Sequence, residues 1–198
     1  MEPGRRAPVF PLMSKKANPQ GKGVSPLLAV IEQQDTAVAA ARPKAAPQVD
    51  TELFTAVFIL ESDFAFQPTV GRPHWLYRKQ GRFRLSLTPP DAWDPCIAGQ
   101  FIGECRLHQD MSWTLELSEA ATGDTALQDE LAGRRQRFER ELENAETLGG
   151  ALPRFRGDLG FYRRVYAYAL SRSLEASMRQ TDISRLTYRD ALALPSDS

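Results

Sequence analysis

The sequence predicts an α+β protein built on a small antiparallel sheet of about four strands, arranged as two hairpins within residues 73–117. Two observations support this fold class. Apolar and polar residues alternate strictly over residues 82–88, which is the pattern of a strand with one buried face. Longer segments on both sides of the sheet repeat their apolar residues at helical spacing, which predicts a preceding helix and a C-terminal helical hairpin.

The composition is that of an ordinary globular chain. Of its 198 residues 42% are hydrophobic, and 25 basic side chains balance 25 acidic ones. A net charge of zero argues against nucleic acid and against an anionic membrane surface as partners. No apolar run approaches the roughly 20 residues that span a bilayer, and no signal peptide is recognisable. With only two cysteines, we expect a cytoplasmic protein with free thiols.

The chain divides into three predicted segments. Residues 1–24 are rich in Pro, Gly and Lys, which predicts a flexible basic arm that buries little apolar surface. Residues 25–49 hold a short helix, which begins at Ser25-Pro26, and then a linker that contains two prolines. Residues 50–194 form a single α+β domain.

The helix that precedes the sheet is predicted from Leu53 to Leu60, the most apolar run in the chain. Asp50 or Thr51 supplies a side-chain oxygen for its N-terminal cap. The same run has the composition of a strand as well, so the preference for a buried helix rests on the spacing of its apolar residues.

The first hairpin is predicted from its turn. Gln80-Gly81 joins the two strands through a loop of two residues. Such a loop places Leu76 opposite Leu85 on one face of the sheet, and Tyr77 opposite Arg84 on the other face.

The second hairpin, over residues 101–117, is predicted to have a three-residue loop at 108–110. This loop pairs Leu107 with Met111, so that every apolar side chain of the hairpin shares one face. Asp110 then takes the left-handed conformation that loops of this length require.

Two helices are predicted after the sheet, over residues 125–148 and 160–178. Gly149-Gly150 ends the first helix, and a short helix within 182–194 closes the domain. The second helix has an apolar face and an opposite face of arginine and aromatic residues, namely Phe161, Arg164, Tyr168, Arg172 and Arg179.

The aromatic residues of the first strand form the candidate binding site. Trp75 and Tyr77 lie on the face of the sheet away from Leu76, and Arg84 lies beside them. If helices cover only the other face, these rings are exposed and able to bind a ligand or peptide by stacking and cation–π contact. If both faces are covered, the two rings belong to the core.

A zinc site is the weaker candidate. Cys105 and His108 have a spacing that suits one pair of zinc ligands, and Cys96 and His74 lie nearby in the sequence. Only this one pair has usable spacing, and a cysteine on a strand is more often a small core residue. We therefore predict no metal and no cofactor.

The sequence contains no nucleophile elbow, phosphate-binding glycine loop or His-Glu-x-x-His motif. We therefore expect a non-enzymatic cytoplasmic module that binds an unidentified protein or peptide, on its sheet or on a helical face. The sequence also leaves open the formation of a homodimer.

Two alternatives to this function remain. An enzyme would use a carboxylate such as Asp91, Glu104 or Asp110 near His74 and His108, and convergence of these groups in one concave pocket would favour it. An RNA-associated protein would use the basic N-terminal arm and the arginine-rich helices.

The stretch from Trp75 to Thr114 resembles an uncharacterised family, catalogued as domain of unknown function 2452. The likeness lies in Trp-Leu-Tyr-Arg-Lys at 75–79, Leu-Ser-Leu at 85–87, Pro-x-x-Trp at 90–93, Phe-Ile-Gly at 101–103 and Leu-His-Gln-Asp-Met-Ser-Trp-Thr at 107–114. Residues 18–23 and the helical C-terminal half are more loosely similar to the family's bacterial branch. The resemblance implies a domain but no activity, cofactor or catalytic residue.

Overall fold

The computed structural model describes residues 35–195 and confirms the predicted fold class. A four-stranded antiparallel sheet packs against helices that precede and follow it along the chain. The predicted arm over 1–24 and the helix start at Ser25-Pro26 lie outside the described residues. Residues 35–40, where the description begins, are helical. Over residues 35–195, no helix combines the length and the apolar character needed to cross a membrane.

The sheet contains two hairpins that lie side by side. Its strands are β1 (Pro73–Lys79), β2 (Arg82–Ser86), β3 (Gln100–Leu107) and β4 (Trp113–Leu117). The strand order is β2-β1-β3-β4, and every neighbouring pair is antiparallel. Strands β2 and β4 are therefore the two edges of the sheet.

Helices precede and follow the strands along the chain, and one short helix lies between β2 and β3. They are α1 (Ala46–Glu61), α2 (Pro95–Ala98), α3 (Glu119–Thr122), α4 (Thr125–Asn144), α5 (Phe161–Gln180) and α6 (Tyr188–Leu192). A single 3₁₀ turn, Pro90–Ala92, follows β2. Helices α4 and α5 are the predicted C-terminal pair, and α6 is shorter than the predicted terminal helix.

Helix α1 begins earlier than the sequence predicted. Ala45 is the N-cap residue, and Pro47 lies in the first turn, where proline needs no backbone hydrogen-bond donor. The end of the predicted linker is therefore helical. The predicted cap by Asp50 or Thr51 is wrong, because both residues lie inside the helix; Asp50 is buried and forms an ion pair with Arg135 of α4.

The register of the first hairpin is confirmed. Leu76 lies opposite Leu85, and Tyr77 lies opposite Arg84. The turn residue Gln80 has φ 52°, and the following Gly81 has φ 74°. Two successive positive φ angles are the geometry of a type I′ turn, whose twist matches that of the flanking strands.

The predicted register of the second hairpin is wrong by two residues. Leu107 pairs with Trp113 instead of Met111, so the loop covers five residues, 108–112. Met111, with φ 66°, takes the left-handed conformation that was predicted for Asp110. Because side chains alternate with a period of two, this shift leaves Cys105, Leu107, Trp113 and Leu115 on their predicted face. Phe101 is the exception, since a register shift at Ile102 places it opposite Tyr77 on the other face.

The long helices pack on one face of the sheet. The ring of Phe58 in α1 contacts the ring of Phe83 in β2, with centroids 4.9 Å apart, and the guanidinium of Arg134 in α4 lies over the same ring. Leu76, Leu85, Cys105, Leu107 and Trp113 are buried on this face. The opposite face carries exposed polar side chains, including those of Arg84, Arg106, Thr114 and Glu116.

Helix α4 ends four residues before its predicted end. The backbone N–H of Leu148 donates to the carbonyl of Leu186 at 2.8 Å, and that of Gly149 donates to the carbonyl of Ser184 at 2.9 Å. These hydrogen bonds hold Leu148 and Gly149 against the segment after α5, so this part of the chain cannot continue helix α4. Gly149 is also tightly enclosed, since a Cβ there would lie 2.6 Å from the Ser184 hydroxyl.

Candidate functional site

Tyr77 of the predicted aromatic site is buried. It is 3% exposed, and its ring lies against those of Trp93 and Phe101, with centroids 6.5 and 5.6 Å away. Its hydroxyl donates to the carbonyl of Thr88 at 3.0 Å. Of the two alternatives that the sequence left open for this ring, exposed or core, the structure places it in the core, although the long helices pack on the other face. The segment after β2 folds over the ring and buries it locally.

Trp75 and Arg84 remain on the open face of the sheet. Trp75 is half-buried and Arg84 is exposed. Within residues 35–195, the guanidinium of Arg84 has no ion pair and Trp75 has no ring contact. These two residues are therefore available to a partner, whereas Tyr77 supports the sheet beneath them.

The four residues of the weak zinc candidate are not brought together. His74 and Cys105 face each other across β1 and β3 and are both buried. Cys96 is exposed in α2, and His108 lies in the loop after β3. Across the described part of the chain, no three His, Cys, Asp or Glu side chains cluster closely enough to hold a metal ion.

His74 is a neutral member of the core. Its ring stacks on that of Phe66 and meets the ring of Trp113 edge-on, and its Nε2 accepts a hydrogen bond from the backbone N–H of Thr69 at 3.3 Å. Burial lowers the pKa of His74, although the carbonyl of Cys105 partly opposes this shift. Burial also raises the pKa of the Cys105 thiol, which stays protonated.

The five groups of the enzyme alternative lie in different places. Asp91 is exposed in the 3₁₀ turn, Glu104 lies on the open face of the sheet, and His74 is in the core. Only His108 and Asp110 line the same concavity. We call this concavity the loop cleft.

The loop cleft has a volume of about 560 Å³ and lies between residues 40–52 and 108–114. Its walls come from the start of α1, the chain just before it, and the β3–β4 loop. The indole of Trp113, 2% exposed, forms part of the wall where β4 begins. The cleft therefore opens at one end of an edge strand.

Lys44 holds the two sides of the loop cleft together. It is 6% exposed, and its ammonium forms ion pairs with Glu52 and, at 2.6 Å, with Asp110. Burial alone would lower the pKa of Lys44, but hydrogen bonds to Asp110 and Glu52 outweigh burial and raise it. The pKa of Asp110 is lowered, because Lys44 and Ser112 overcome the opposite effect of burial. Both groups stay charged near neutral pH, so they form a fixed network.

Short hydrogen bonds shape the loop itself. The carboxylate of Asp110 accepts from the hydroxyl of Ser112 at 2.6 Å and from its backbone N–H at 3.1 Å. The Nε2 atom of His108 lies 3.2 Å from the hydroxyl of Thr114. Asp110 thus binds its own loop and Lys44 together, which fixes the position of the loop beside α1.

The outer edge of β4 is the second part of the site. The backbone N–H of His108 donates to the carbonyl of Ser112 at 2.9 Å, which fixes the alternation of hydrogen bonds along this antiparallel pair. By that alternation, Trp113, Leu115 and Leu117 direct their N–H and C=O groups away from β3. Within residues 35–195, none of these outward groups takes part in a hydrogen bond.

The other edge of the sheet is occupied. The backbone N–H of Asp63 donates to the carbonyl of Phe83 at 2.9 Å, and the N–H of Leu85 donates to the carbonyl of Asp63 at 3.1 Å. Phe83 and Leu85 are the residues whose backbone groups face outward on β2, so the same alternation holds across the sheet. Strands β2 and β4 therefore differ in their capacity to accept a further strand.

Sequence reasoning missed Lys44 and Glu52. Lys44 was placed in a predicted linker, and it lies 66 positions from Asp110 along the chain. A lysine next to a proline gives no local signal of such a pairing. The unpaired edge was not predicted either, because it depends on the order of all four strands.

Comparisons of the chain with protein-family models, with curated proteins and with solved structures found no match. Over residues 35–195, fold and site together define an α+β protein with one open sheet face, one edge strand left unpaired by these residues and a cleft at the start of that strand.

Proposed function

We propose that the protein is a non-enzymatic, cytoplasmic interaction module that binds an extended segment of a partner protein along the outer edge of β4. The observation that carries this proposal is the row of outward backbone groups at Trp113, Leu115 and Leu117, which no residue of the described chain engages. An extended segment of a partner would satisfy them by adding a fifth strand.

The loop cleft supports the same proposal. Trp113 both begins β4 and lines the cleft, so a segment added along the edge would run into it. In such binding, main-chain hydrogen bonds supply affinity and a neighbouring concavity selects side chains. Residues 107–114, which carry part of the resemblance to domain of unknown function 2452, form this end of the site. We propose that this shared sequence serves the binding surface.

The electrostatics of the cleft favour binding over catalysis. General acid–base chemistry needs a group that exchanges a proton near the working pH. Lys44 and Asp110 are instead held in their charged forms by each other, since the pKa of the lysine is raised and that of the aspartate is lowered. Their role in the proposed function is to hold the loop beside α1.

The test uses peptides selected on the folded protein. A random peptide library displayed on phage supplies ligands, and the affinity of each synthetic peptide is then measured by fluorescence anisotropy. Two variants are compared, Leu115→Pro and Leu115→Ala. Both remove the half-buried leucine side chain, but only proline also removes the outward N–H, while the ladder to β3 stays intact.

We expect Leu115→Ala to bind the selected peptides and Leu115→Pro to lose binding at least tenfold. Amide hydrogen exchange supplies a second readout, because the N–H groups of Leu115 and Leu117 should gain protection when peptide binds. Circular dichroism of both variants verifies that they are folded. Equal affinity of the two variants, or no enrichment of any peptide, would refute the proposal.

A further inference from the structure

Helix α5 presents an exposed row of aromatic and arginine side chains, which alternate from Phe161 to Arg172. Its members follow one another at three, four, four and seven positions, so they share one side of the helix. Successive members are about 5–6 Å apart along the axis for a spacing of four residues. We call this row the α5 stripe; it consists of Phe161, Arg164, Tyr168, Arg172 and Arg179. All five are exposed.

The α5 stripe carries an excess of positive charge. Within residues 35–195, no ion pair and no side-chain hydrogen bond engages Arg164 or Arg172. The one acidic residue of α5, Glu175, lies on the same side of the helix between Arg172 and Arg179, and it is bound by Arg154 at 2.7 Å and by Arg179 at 2.9 Å. The zero net charge of the whole chain therefore conceals a basic surface on this helix.

Exposed rings accompany these arginines. Phe161 is 59% exposed and Tyr168 is 38% exposed. Because Arg154 is anchored to Glu175, the loop that carries Phe155, a ring 93% exposed, runs alongside the stripe. A shallow groove of about 340 Å³ lies beside the stripe, and its lining includes Arg154, Tyr168, Arg172, Glu175 and Arg179.

We infer that the α5 stripe binds single-stranded nucleic acid. Arginine recognises phosphate oxygens through paired N–H donors, and exposed aromatic rings stack on unpaired bases whatever their sequence. The alternation of the two residue types supplies both contacts along one direction. The stripe shares no residue with the loop cleft or with β4, so this inference is independent of the proposed function.

The experiment measures binding of fluorescein-labelled 20-nucleotide oligo(U) and oligo(dT) to the full chain by anisotropy, from 50 to 200 mM salt. Tyr168→Leu tests stacking, and Tyr162→Leu is its matched control. Tyr162 lies off the stripe and is 37% exposed, almost the same as Tyr168; its ring contacts that of Phe161, which the substitution leaves in place. Arg172→Gln tests phosphate contact, and its control is Arg140→Gln, which changes an exposed arginine of α4.

We expect binding at 50 mM salt that weakens steeply as salt rises. Arg172→Gln should reduce the slope of log affinity against log salt by about 0.7, the value for one phosphate contact on a single strand. Tyr168→Leu should weaken binding about tenfold, which corresponds to the loss of one stacked base. The two control variants should bind as the unchanged protein does.

Two results would overturn the inference. One is the absence of binding to either oligonucleotide at 50 mM salt. The other is weaker binding in Arg172→Gln without any difference between Tyr168→Leu and Tyr162→Leu. That second result would show a purely electrostatic patch, of the kind an acidic protein partner uses. Thermal unfolding followed by circular dichroism verifies that each variant is folded.

Discussion

Replacing Lys44 by methionine tests the network that positions the β3–β4 loop. Methionine keeps most of the aliphatic length of lysine and removes its charge. The change leaves the carboxylates of Glu52 and Asp110 close together without a cation, and their side chains are only 20% and 15% exposed. These two carboxylates would then repel each other in a poorly solvated site.

The structure allows the size of this effect to be estimated. Breaking a buried ion pair by removing one partner costs about 3–5 kcal/mol. Glu52 and Asp110 retain some contact with water, and Ser112 still donates to Asp110. We therefore expect a loss of about 3 kcal/mol in the free energy of unfolding, near the lower end of that range. With a urea m-value of about 2 kcal/mol per molar, the midpoint of unfolding falls by about 1.5 M.

The assay is urea unfolding followed by circular dichroism at pH 7 and at pH 4.5. Without Lys44, burial dominates at Asp110 and raises its pKa, so protonation at low pH should relieve part of the repulsion. The deficit of Lys44→Met should therefore shrink at pH 4.5. Arg140→Met on the exposed side of α4 serves as the control and should change stability by less than about 0.5 kcal/mol. A loss below about 1 kcal/mol at pH 7, or a deficit that does not depend on pH, would refute this account of the site.

Three further predictions concern a tightly packed glycine, a buried histidine and the open face of the sheet. Gly103→Ala should cost about 1–3 kcal/mol in thermal unfolding, because its Cβ would lie 2.2 Å from the Glu116 carbonyl oxygen, whereas Gly133→Ala in α4 has room and should stabilise by about 0.5–1 kcal/mol. The pKa of His74 is lowered in the folded protein. Above pH 6.5, the ordinary value, the imidazole is neutral in both states and does not affect stability. As the pH drops below 6.5, the unfolded state binds the proton first and the free energy of unfolding falls. Urea unfolding at pH 7.5 and 5.5 measures this dependence, which should be smaller in His74→Phe. Acrylamide should quench the fluorescence of a variant that retains only Trp75 more strongly than that of one that retains only Trp113, which is 2% exposed; equal quenching would contradict the assignment of the open face.

The two hairpins show what local sequence can and cannot specify. The register of the first follows from its two-residue turn, because Gln80 and Gly81 accept the backbone angles that such a turn needs. The register of the second depends on Asp110, which binds Lys44 in the chain before α1. Alternation of side chains fixes only the face of a strand, so an error of two residues left the pattern satisfied.

The same distinction holds for the site. The exposed face of α5 was predictable because helical spacing alone decides it. Burial of Tyr77 was not, since it depends on how the segment with Trp93 folds over the sheet. The loop cleft joins residues 40–52 to 108–114, and the edge of β4 exists only because β3 lies between it and β1. Both are products of topology, which no local pattern encodes.

The unequal edges of the sheet limit how this protein can associate. A fibre grows by strand addition only if each molecule has two free sheet edges, because each edge must pair with a different neighbouring molecule. Asp63 occupies the outward groups at the centre of β2, so only β4 remains open among residues 35–195. Any assembly through the sheet therefore closes after a single addition, whether the added strand comes from a partner or from a second copy. Asp63, which follows α1 and bonds to β2, thus allows the described chain to keep one open edge without the risk of indefinite polymerisation.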